Sequence, residues 1–522
     1  MNFETAQTRP RSNGRGRRGA RRREAGTPAA EGRPRTRQLR NPYRPIEQFT
    51  AEEVEAIHET SMTILEEFGL RILHPEARAR LAAAGAAVDE DSHRVRFDRG
   101  WIAEQIAAAP RVVGLHARNP ERNVEAGGDA VAFATVGGPP HFSDLEGGRR
   151  PGTLAAFRDF IRLAQTYDVI HLLGPAVEPL EVDTALRHLH VTQAQLALSD
   201  KVPFIFCRGR GQVADALEMV RIARGITPEV FRRQPSCYTV VNSNSPLQLD
   251  VPMCQGIIDF AAAGQLMILT PFTLAGAMAP VSLPGALAQQ NAEALAGIAL
   301  AQLASPGAPV AYGGFTSNVD MRSGAPAFGT PEYVKAAFGT GQLARRYGLP
   351  WRSSNATASN APDAQAAYEA QMSLWGALMG GSNLLMHGAG WLEGGLTASF
   401  EKFIIDVEML RMFAALFEPV RCNEADLALE AVREVGPGGH YFGCAHTLER
   451  YEHAFYAPML SDWRNYGSWH EDGAVDATRR AHRLYKQALA DFVPPPMDPA
   501  VGEELDAFVT RRTKEGGARP ED

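Results

Sequence analysis

The sequence is poor in cysteine and has no long apolar run. Its 522 residues include only five cysteines, at positions 207, 237, 254, 422 and 444, and none of them forms a CxxC pair. Scattered thiols are typical of a reducing compartment, so we expect no disulfides. No stretch of about 18 uninterrupted apolar residues is present, and the N-terminus shows no apolar signal-peptide core. We therefore expect a cytoplasmic protein without a membrane span.

Charge is distributed unevenly along the chain. The formal net charge is −7, yet residues 1–44 hold 13 arginines and 3 acidic residues, so this part carries +10 and the remainder −17. A segment such as RGRRGARRR cannot bury apolar surface, and we predict a disordered Arg-rich tail over residues 1–41. Three interpretations of the tail are open: a nucleic-acid-binding arm, a solvated tail, or a start codon placed too early. The acidic remainder is a poor nucleic-acid binder, so we expect no nucleic-acid partner.

Residues 42–150 are predicted to form an N-terminal helical and β extension. The start signal T-A-E-E at Thr50 opens a segment with apolar residues at three- and four-residue spacing, which predicts an amphipathic helix that ends at Gly69. Short β-like runs (RVRF, VVGLHA, AVAFAT) and glycine-rich turns follow. This mixture indicates a cap ahead of the main body.

After about residue 152, short apolar runs alternate with helix-like stretches, which is the pattern of βαβ units. Seven strands are predicted: 171–177, 202–207, 237–241, 266–271, 309–314, 349–354 and 383–388. Seven consecutive units favour an α/β fold of the (β/α)8 TIM-barrel type over an open doubly wound sheet. We place the barrel at 151–420 and its completion, with a C-terminal helical addition, at 421–522. The eighth strand is not assigned.

The loops after the strands of such a barrel meet at one mouth, where reactive groups are found. Here these loops are rich in Gly, Ala, Ser and Pro, with few ionisable groups and several aromatic residues nearby. Sugar or phosphate chemistry would need paired carboxylates or an anion-binding loop. Loops with few ionisable groups and several aromatic residues instead suit an apolar, aromatic-lined cavity for a small cation, because the faces of aromatic rings attract cations.

Several long stretches resemble one protein family. They are TLAGAMAPVSLPGALAQQNAEALAG (273–297), GGFTSNVDMRSGAPAFGTPEY (313–333), NAPDAQAAYE (360–369), GLTASFEKFIIDVEML (395–410), and GPGGHYFG followed by HTLERY. They look like the trimethylamine methyltransferase family, with a similarity that runs from about residue 42 to 510. The resemblance implies a (β/α)8 barrel, as the strand count does. It also implies an enzyme that transfers a methyl group from a methylamine to the Co(I) of a corrinoid (cobalamin) on a separate small protein.

One departure from the family bears on the substrate. Members that act on trimethylamine carry pyrrolysine in a barrel loop, which corresponds by chain position to RSSNATASN at residues 352–360. No pyrrolysine is written there. A quaternary ammonium already bears the charge that lets a neutral amine leave, whereas a neutral tertiary amine is a poor methyl donor. The resemblance therefore implies a quaternary amine such as glycine betaine, as for members without pyrrolysine.

The implied mechanism is in-line SN2 attack on an N-methyl carbon, without a general base, in which the protein orients the ammonium and excludes water. Four aromatic residues are predicted to form the cage: Tyr312, Phe315, Trp351 and Trp391. Three residues are candidates to hold a substrate carboxylate: His387, Arg322 and Asn355. Asp320 is predicted to orient Arg322, and His387 and Asp320 are the catalytic candidates. We expect no tightly bound cofactor or metal in the chain itself, and a homo-oligomer by analogy with the family.

Purely structural roles for these residues, and other functions for the chain, are also compatible with the sequence. Asp320 and Arg322 paired only with each other would merely shape their loop, and His387 after an apolar strand would be a satisfied core residue. The chain as a whole would alternatively be a catalytically idle amine-binding barrel, or an enzyme with another methyl acceptor. A metal-dependent lyase would use the ligand spacing in HYFGCAH, with His440, Cys444 and His446.

The stretch VDMRSGAPAFGTPE, residues 319–332, sets one phenylalanine among small residues. We expect the small residues to let this loop pass closely beneath a planar corrinoid or a substrate. Thr330 is predicted to be the N-cap of a helix that begins with Pro331 and Glu332.

Overall fold

The computed structural model describes residues 38–521 and has a closed, parallel, eight-stranded barrel at its centre. Six barrel strands are regular: Ala130–Phe133, Tyr238–Val241, Leu266–Leu269, Val310–Gly313, Trp351–Ser354 and Leu384–Met386. The other two, around residues 172 and 202–204, join through single bridges. Leu384 and Leu385 of the last strand pair with Ala132 and Phe133 of the first, which closes the barrel. The predicted TIM-barrel class and all seven predicted strands are confirmed.

The strand missing from the sequence prediction is Ala130–Phe133. It lies in AVAFAT, which we assigned to the cap, so the barrel begins before residue 151. A hairpin of strands His141–Asp144 and Gly148–Pro151 separates this strand from its helix, and the insertion hides the strand-helix alternation. The predicted completion after residue 420 is wrong, because the described chain beyond Ser399 contains only helices and loops.

Helices surround the barrel in the order expected of βα units. They are Leu154–Thr166, Thr184–Leu198, Arg210–Arg224, Pro228–Arg233, Val251–Ala263, Leu283–Ala304, Pro331–Tyr347, Ala364–Met379 and Phe400–Leu416. Most begin at a side-chain N-cap, and Thr330 accepts a hydrogen bond from the backbone of Tyr333, as predicted. Strand side chains alternate between an inner core that fills the barrel and an outer core that packs on the helices.

The first part of the N-terminal extension packs against the outer helices, whereas its strands Val113–Leu115 and Val124–Ala126 belong to the inner core of the barrel. Helix Ala51–Thr63 starts at the predicted signal T-A-E-E, where Thr50 and Glu53 form a capping box. It continues as a short π-helical segment, Ile64–Phe68, which ends at Gly69. The remaining elements are helices Pro75–Ala83, Arg99–Ala108 and Pro120–Arg122, and strands Leu70–Ile72, Ala87–Asp89, Arg94–Arg96, Val113–Leu115 and Val124–Ala126.

The predicted Arg-rich tail lies mostly outside the described residues. Its last four residues, 38–41, are described, and Leu39–Arg40 forms a short strand antiparallel to Ala130–Val131. This end of the predicted tail therefore belongs to the folded body.

Short strands extend the barrel loops, and helices complete the C-terminal part. The strands are Gln248–Leu249, Leu274–Ala275, Ser317–Val319, Pro326–Ala327, Trp391–Leu392 and Thr397–Ser399, with a 3-10 turn at Glu393–Gly395. The C-terminal helices are Glu424–Leu427, Leu429–Val435, Ala445–Arg450, Tyr466–Glu471, Ala477–Ala490 and Pro499–Lys514. All five cysteines are free thiols. Within residues 38–521, no helix combines the length and the apolar character needed to cross a membrane.

Candidate functional site

Three of the predicted residues meet at the mouth of the barrel. Phe315 follows one strand, His387 follows another, and Trp391 lies four residues further on. The ring centre of Phe315 is 5.9 Å from that of His387 and 6.1 Å from that of Trp391. The His387 and Trp391 rings are 4.2 Å apart. These rings form one wall of the candidate site.

An arginine that the sequence analysis missed faces this wall. Arg352 lies on strand Trp351–Ser354 with only 2% of its surface exposed, and its Cζ is 5.3 Å from the ring centre of Phe315. Burial lowers its pKa to about 10, so it is a cation at neutral pH. Its Nε and Nη1 have no hydrogen-bond partner within the described chain. An unpaired buried cation costs several kcal/mol, so this guanidinium is suited to receive an anion.

The conformation of His387 is unusual and constrained. Its φ of 56° lies in the left-handed region, which costs a non-glycine residue about 1 kcal/mol. Burial, and then the charge of Arg352, holds its pKa well below the ordinary value, so the ring is neutral. A Cβ on Gly137 would lie 2.9 Å from Nε2 of His387, so glycine is required there for the imidazole to fit. His387 as a whole residue is only partly buried, whereas its ring Nδ1 is buried and has no hydrogen-bond partner within residues 38–521.

A buried polar network holds the segment from His387 to Trp391. Asp406 accepts a hydrogen bond of 2.8 Å from the backbone of Gly390 and forms a fully buried ion pair with Lys402. Burial raises the pKa of Asp406. Asn355, also predicted as a site residue, donates from Nδ2 to the carbonyl of Gly388 at 3.1 Å. Asn355 therefore adjoins the site and supports this loop.

Trp391 is fixed by a second pair of contacts. Its indole Nε1 donates to the carbonyl of Thr357 at 3.0 Å, and the Thr357 hydroxyl donates to the carbonyl of Trp391 at 2.9 Å. These reciprocal hydrogen bonds orient the ring toward the site before any ligand arrives.

The loop of residues 319–332 contributes one aromatic ring, that of Phe328, to the wall. Phe328 is buried and stacks on Phe315 with 5.3 Å between ring centres. Residues 320–326 of the loop are exposed. Asp320 accepts hydrogen bonds from the Ser323 hydroxyl at 2.6 Å and from the backbone of Arg322 at 3.2 Å, which shapes the turn. The Arg322 side chain is exposed, and the described contacts include no ion pair between it and Asp320, so the structure does not bring either residue to the wall.

Two predicted cage residues face away from the site. Tyr312 is buried in the outer core, where its hydroxyl donates to Asn291 at 2.9 Å. Trp351 packs in the same layer, against Gly380. Successive strand residues point to opposite sides, so the outward position of Trp351 puts Arg352 inside. The alternation within WRSS separates Trp351 from Arg352, but it identifies Arg352 as the inward residue only once the outward direction of Trp351 is known.

The residues considered as zinc ligands do not form a metal site. Across the described chain, no three His, Cys, Asp or Glu side chains are grouped in a way that would hold a metal ion, and this includes His440, Cys444 and His446. The ligand set of the proposed lyase is therefore not assembled.

Comparisons with known proteins cover most of the chain. The family described as trimethylamine methyltransferase matches residues 11–517. Glycine betaine methyltransferase of Desulfitobacterium hafniense strain Y51 is 37% identical over 471 residues, which cover 90% of this chain and 98% of that protein. Trimethylamine methyltransferase MttB1 of Methanosarcina mazei is 29% identical over 472 residues, 89% of this chain and 95% of that protein. The crystal structure of the Methanosarcina barkeri monomethylamine methyltransferase MtmB, 12% identical, superposes with a TM-score of 0.47 over 87% of this chain and 97% of that one.

Proposed function

Because this chain belongs to the trimethylamine methyltransferase family, we propose that it demethylates a zwitterionic quaternary amine of the glycine betaine type. The observation that carries the proposal is the buried Arg352, whose Nε and Nη1 have no partner in residues 38–521, beside the rings of Phe315 and Trp391. Such an arrangement offers one cationic group and one aromatic wall, which match a carboxylate and an ammonium on one small molecule. The similarity to glycine betaine methyltransferase supports the same substrate class.

Electrostatics explain why the carboxylate matters. At an effective dielectric constant of about 20, a carboxylate about 4 Å from Arg352 gains roughly 4 kcal/mol. An ammonium against the aromatic wall gains about 0.5–2 kcal/mol, depending on how dry the site is. A quaternary amine without a carboxylate would instead be repelled by Arg352, by roughly 3 kcal/mol at about 5–6 Å. We therefore expect choline to bind poorly.

The chain's own contribution to the reaction is binding and orientation. The carbon–nitrogen bond breaks with its electron pair left on nitrogen, so a neutral tertiary amine leaves and no proton has to move. Phe315, Trp391 and His387 would hold the ammonium with one methyl group directed to the open mouth and would exclude water. Because the loop bearing His387 and Trp391 is anchored by buried hydrogen bonds, the site is preorganised for an in-line displacement.

The methyl acceptor that we propose is a Co(I) corrinoid held by a small partner protein, which would supply the nucleophile. The donor set around the site fits such an acceptor, because His387 is neutral and Arg352 is a very weak acid with a pKa of about 10. Neither group would protonate a strong nucleophile. The earlier suggestion that residues 319–332 pass beneath the corrinoid stays a prediction. We further propose a cytoplasmic location, for which the five free thiols are the support.

The proposal is tested anaerobically with the full chain, Co(I) cobalamin, and a panel of glycine betaine, proline betaine, carnitine, choline and trimethylamine. We expect loss of the Co(I) absorption, with release of the demethylated amine, for zwitterions only. Equal activity with choline would refute the role of Arg352. The assay is repeated with a cognate corrinoid protein, so that an unsuitable free acceptor is not mistaken for inactivity.

The second candidate function, an idle amine-binding barrel, is separated by calorimetry. Glycine betaine bound by the chain without methyl transfer to any acceptor would favour it. The variant Arg352→Met should lose binding in either case. Arg322→Met is the matched control, because Arg322 is exposed on the loop at 319–332 and away from the aromatic wall.

A further inference from the structure

A cavity lies beside two of the barrel strands, apart from the candidate site. Its volume is about 90 Å³, and most of its lining comes from residues 175–179 and 204–208 and from helices Thr184–Leu198 and Arg210–Arg224. It shares no lining residue with the aromatic wall. A single water molecule needs about 10–15 Å³, so the cavity has room for a molecule of roughly six or seven non-hydrogen atoms.

The lining of the cavity is mostly apolar, and its charged groups are already paired. Much of the surface is formed by carbon side chains, among them Phe157, Val177, Val191, Phe204 and Ala216. Arg187 and Arg208 both bind the carboxylate of Glu178, and Arg187 also donates to a backbone carbonyl at 2.9 Å. The amide of Gln195 is bonded at both ends to the backbone of Phe204. Water would find few polar partners on such a surface, so the lining favours an uncharged, mostly apolar ligand.

His188 contributes an unpaired polar atom to this lining. The residue is 8% exposed, and its Nδ1 has no hydrogen-bond partner within residues 38–521. Its Nε2 lies 2.9 Å from Asp215, whose carboxylate also accepts a hydrogen bond from Arg512. An ionised carboxylate can only accept, so Nε2 carries a proton and Nδ1 of the neutral ring presents a lone pair. A buried acceptor without a partner favours a ligand that donates an O–H or N–H group.

A short segment covers one side of the cavity. Residues 517–521, here called the strap, contribute Pro520 to the lining. The backbone N–H groups of Ala518 and Glu521 donate hydrogen bonds of 2.9 and 3.1 Å to backbone carbonyls beside the cavity. The strap begins at Gly517, whose φ of 66° lies in the region that glycine adopts freely. Local opening of the strap would give a ligand a path into the cavity.

We propose that this cavity is a second binding site, for a small uncharged molecule that is mostly apolar and carries one O–H or N–H donor. The carbon surface would pack on the ligand, and Nδ1 of His188 would accept its hydrogen bond. Pro175 and Phe206 line the cavity and also pack on the backbone of residues 137–138, which adjoins His387. A bound molecule would therefore contact side chains that support the candidate site. This proposal does not depend on the proposed substrate.

Phenol and toluene are suitable probes, because they match in size and only phenol carries an O–H donor. Ligand-observed NMR titration of the full chain should show saturable binding, with an affinity for phenol about tenfold higher than for toluene. His188→Phe keeps a ring of similar size and removes the acceptor, while Asp215 retains its ion pair with Arg512. This variant should bind the two probes equally. The proposal is overturned if neither probe binds saturably, or if His188→Phe keeps the preference for phenol.

Two alanines of helix Arg210–Arg224 test where the probe binds. Both Ala216 and Ala223 are buried, but only Ala216 lines the cavity. Ala216→Leu fills the space and should abolish phenol binding without lowering Tm. Ala223→Leu is the matched control, because it adds the same volume to a packed core and should lower Tm while phenol still binds. Retained phenol binding by a folded Ala216→Leu protein would place the probe elsewhere and overturn the proposal. Methyl transfer does not enter these measurements, so their failure is distinguishable from failure of the proposed function.

Discussion

Replacing Arg352 by methionine should stabilise the fold while it abolishes ligand binding. Methionine keeps most of the aliphatic volume but removes a guanidinium whose Nε and Nη1 are unpartnered within residues 38–521. Each orphaned donor costs about 1–3 kcal/mol. A folded pKa of about 10, against an ordinary 12.5, corresponds to about 3 kcal/mol of destabilisation. After some loss of packing, we expect the unfolding free energy of Arg352→Met to rise by about 1–3 kcal/mol.

The sign of the pH dependence provides a second check on the same group. The folded pKa of Arg352 is lowered, so the unfolded chain binds more protons between about pH 10 and 12.5. The cost of burying the cation is therefore fully present at neutral pH and is relieved only as the pH rises above about 10. Measurements at pH 7 accordingly record the full gain from its removal.

The assay is thermal and denaturant unfolding with and without glycine betaine. Wild-type protein should gain about 2.7 kcal/mol at 100 times the dissociation constant, whereas Arg352→Met should gain nothing. The control Arg322→Met should stay within about 0.5 kcal/mol of wild type and keep its response to the ligand. If Arg352→Met were destabilised by 1 kcal/mol or more, the guanidinium would already be compensated and the reasoning would fail.

Three further outcomes are expected. Asp406→Asn leaves Lys402 buried and unpaired, so urea denaturation should show a free energy of unfolding lower by about 3–5 kcal/mol. Adding Lys402→Met to this variant should recover most of that loss. If the double variant showed no recovery, the two residues would not act as a pair. Gly137→Ala should lower kcat at least tenfold with little change in Tm, because the added Cβ would displace the His387 imidazole. An unchanged kcat would contradict the assignment of His387 to the site. The pH profile of kcat/KM should be flat from about pH 7 to 9, since the pKa of His387 lies well below 6.5 and that of Arg352 is about 10; a transition near pH 7 to 8 would contradict this.

The candidate site was predictable only in part. The positions of Phe315, His387 and Trp391 at the mouth were predicted, because the loops after parallel strands meet at one end of a barrel. This follows from the topology and does not depend on the details of side-chain packing. Tyr312 and Trp351 were misjudged because a residue within a strand faces inward or outward according to its register. A shift of one position exchanges the two faces, and nothing local in WRSS states which face is buried inside the barrel.

Local structure and family membership follow from the amino-acid sequence alone. The capping box at Thr50, the N-cap at Thr330 and seven of the eight strands follow from neighbours a few residues apart, and family membership follows from long matching stretches. Two further features depend on tertiary packing: strand Ala130–Phe133 closes the barrel, and Arg352 lies buried beside Phe315. Both depend on contacts between residues distant in the chain, whose pairing and burial are set by packing and not by local propensity.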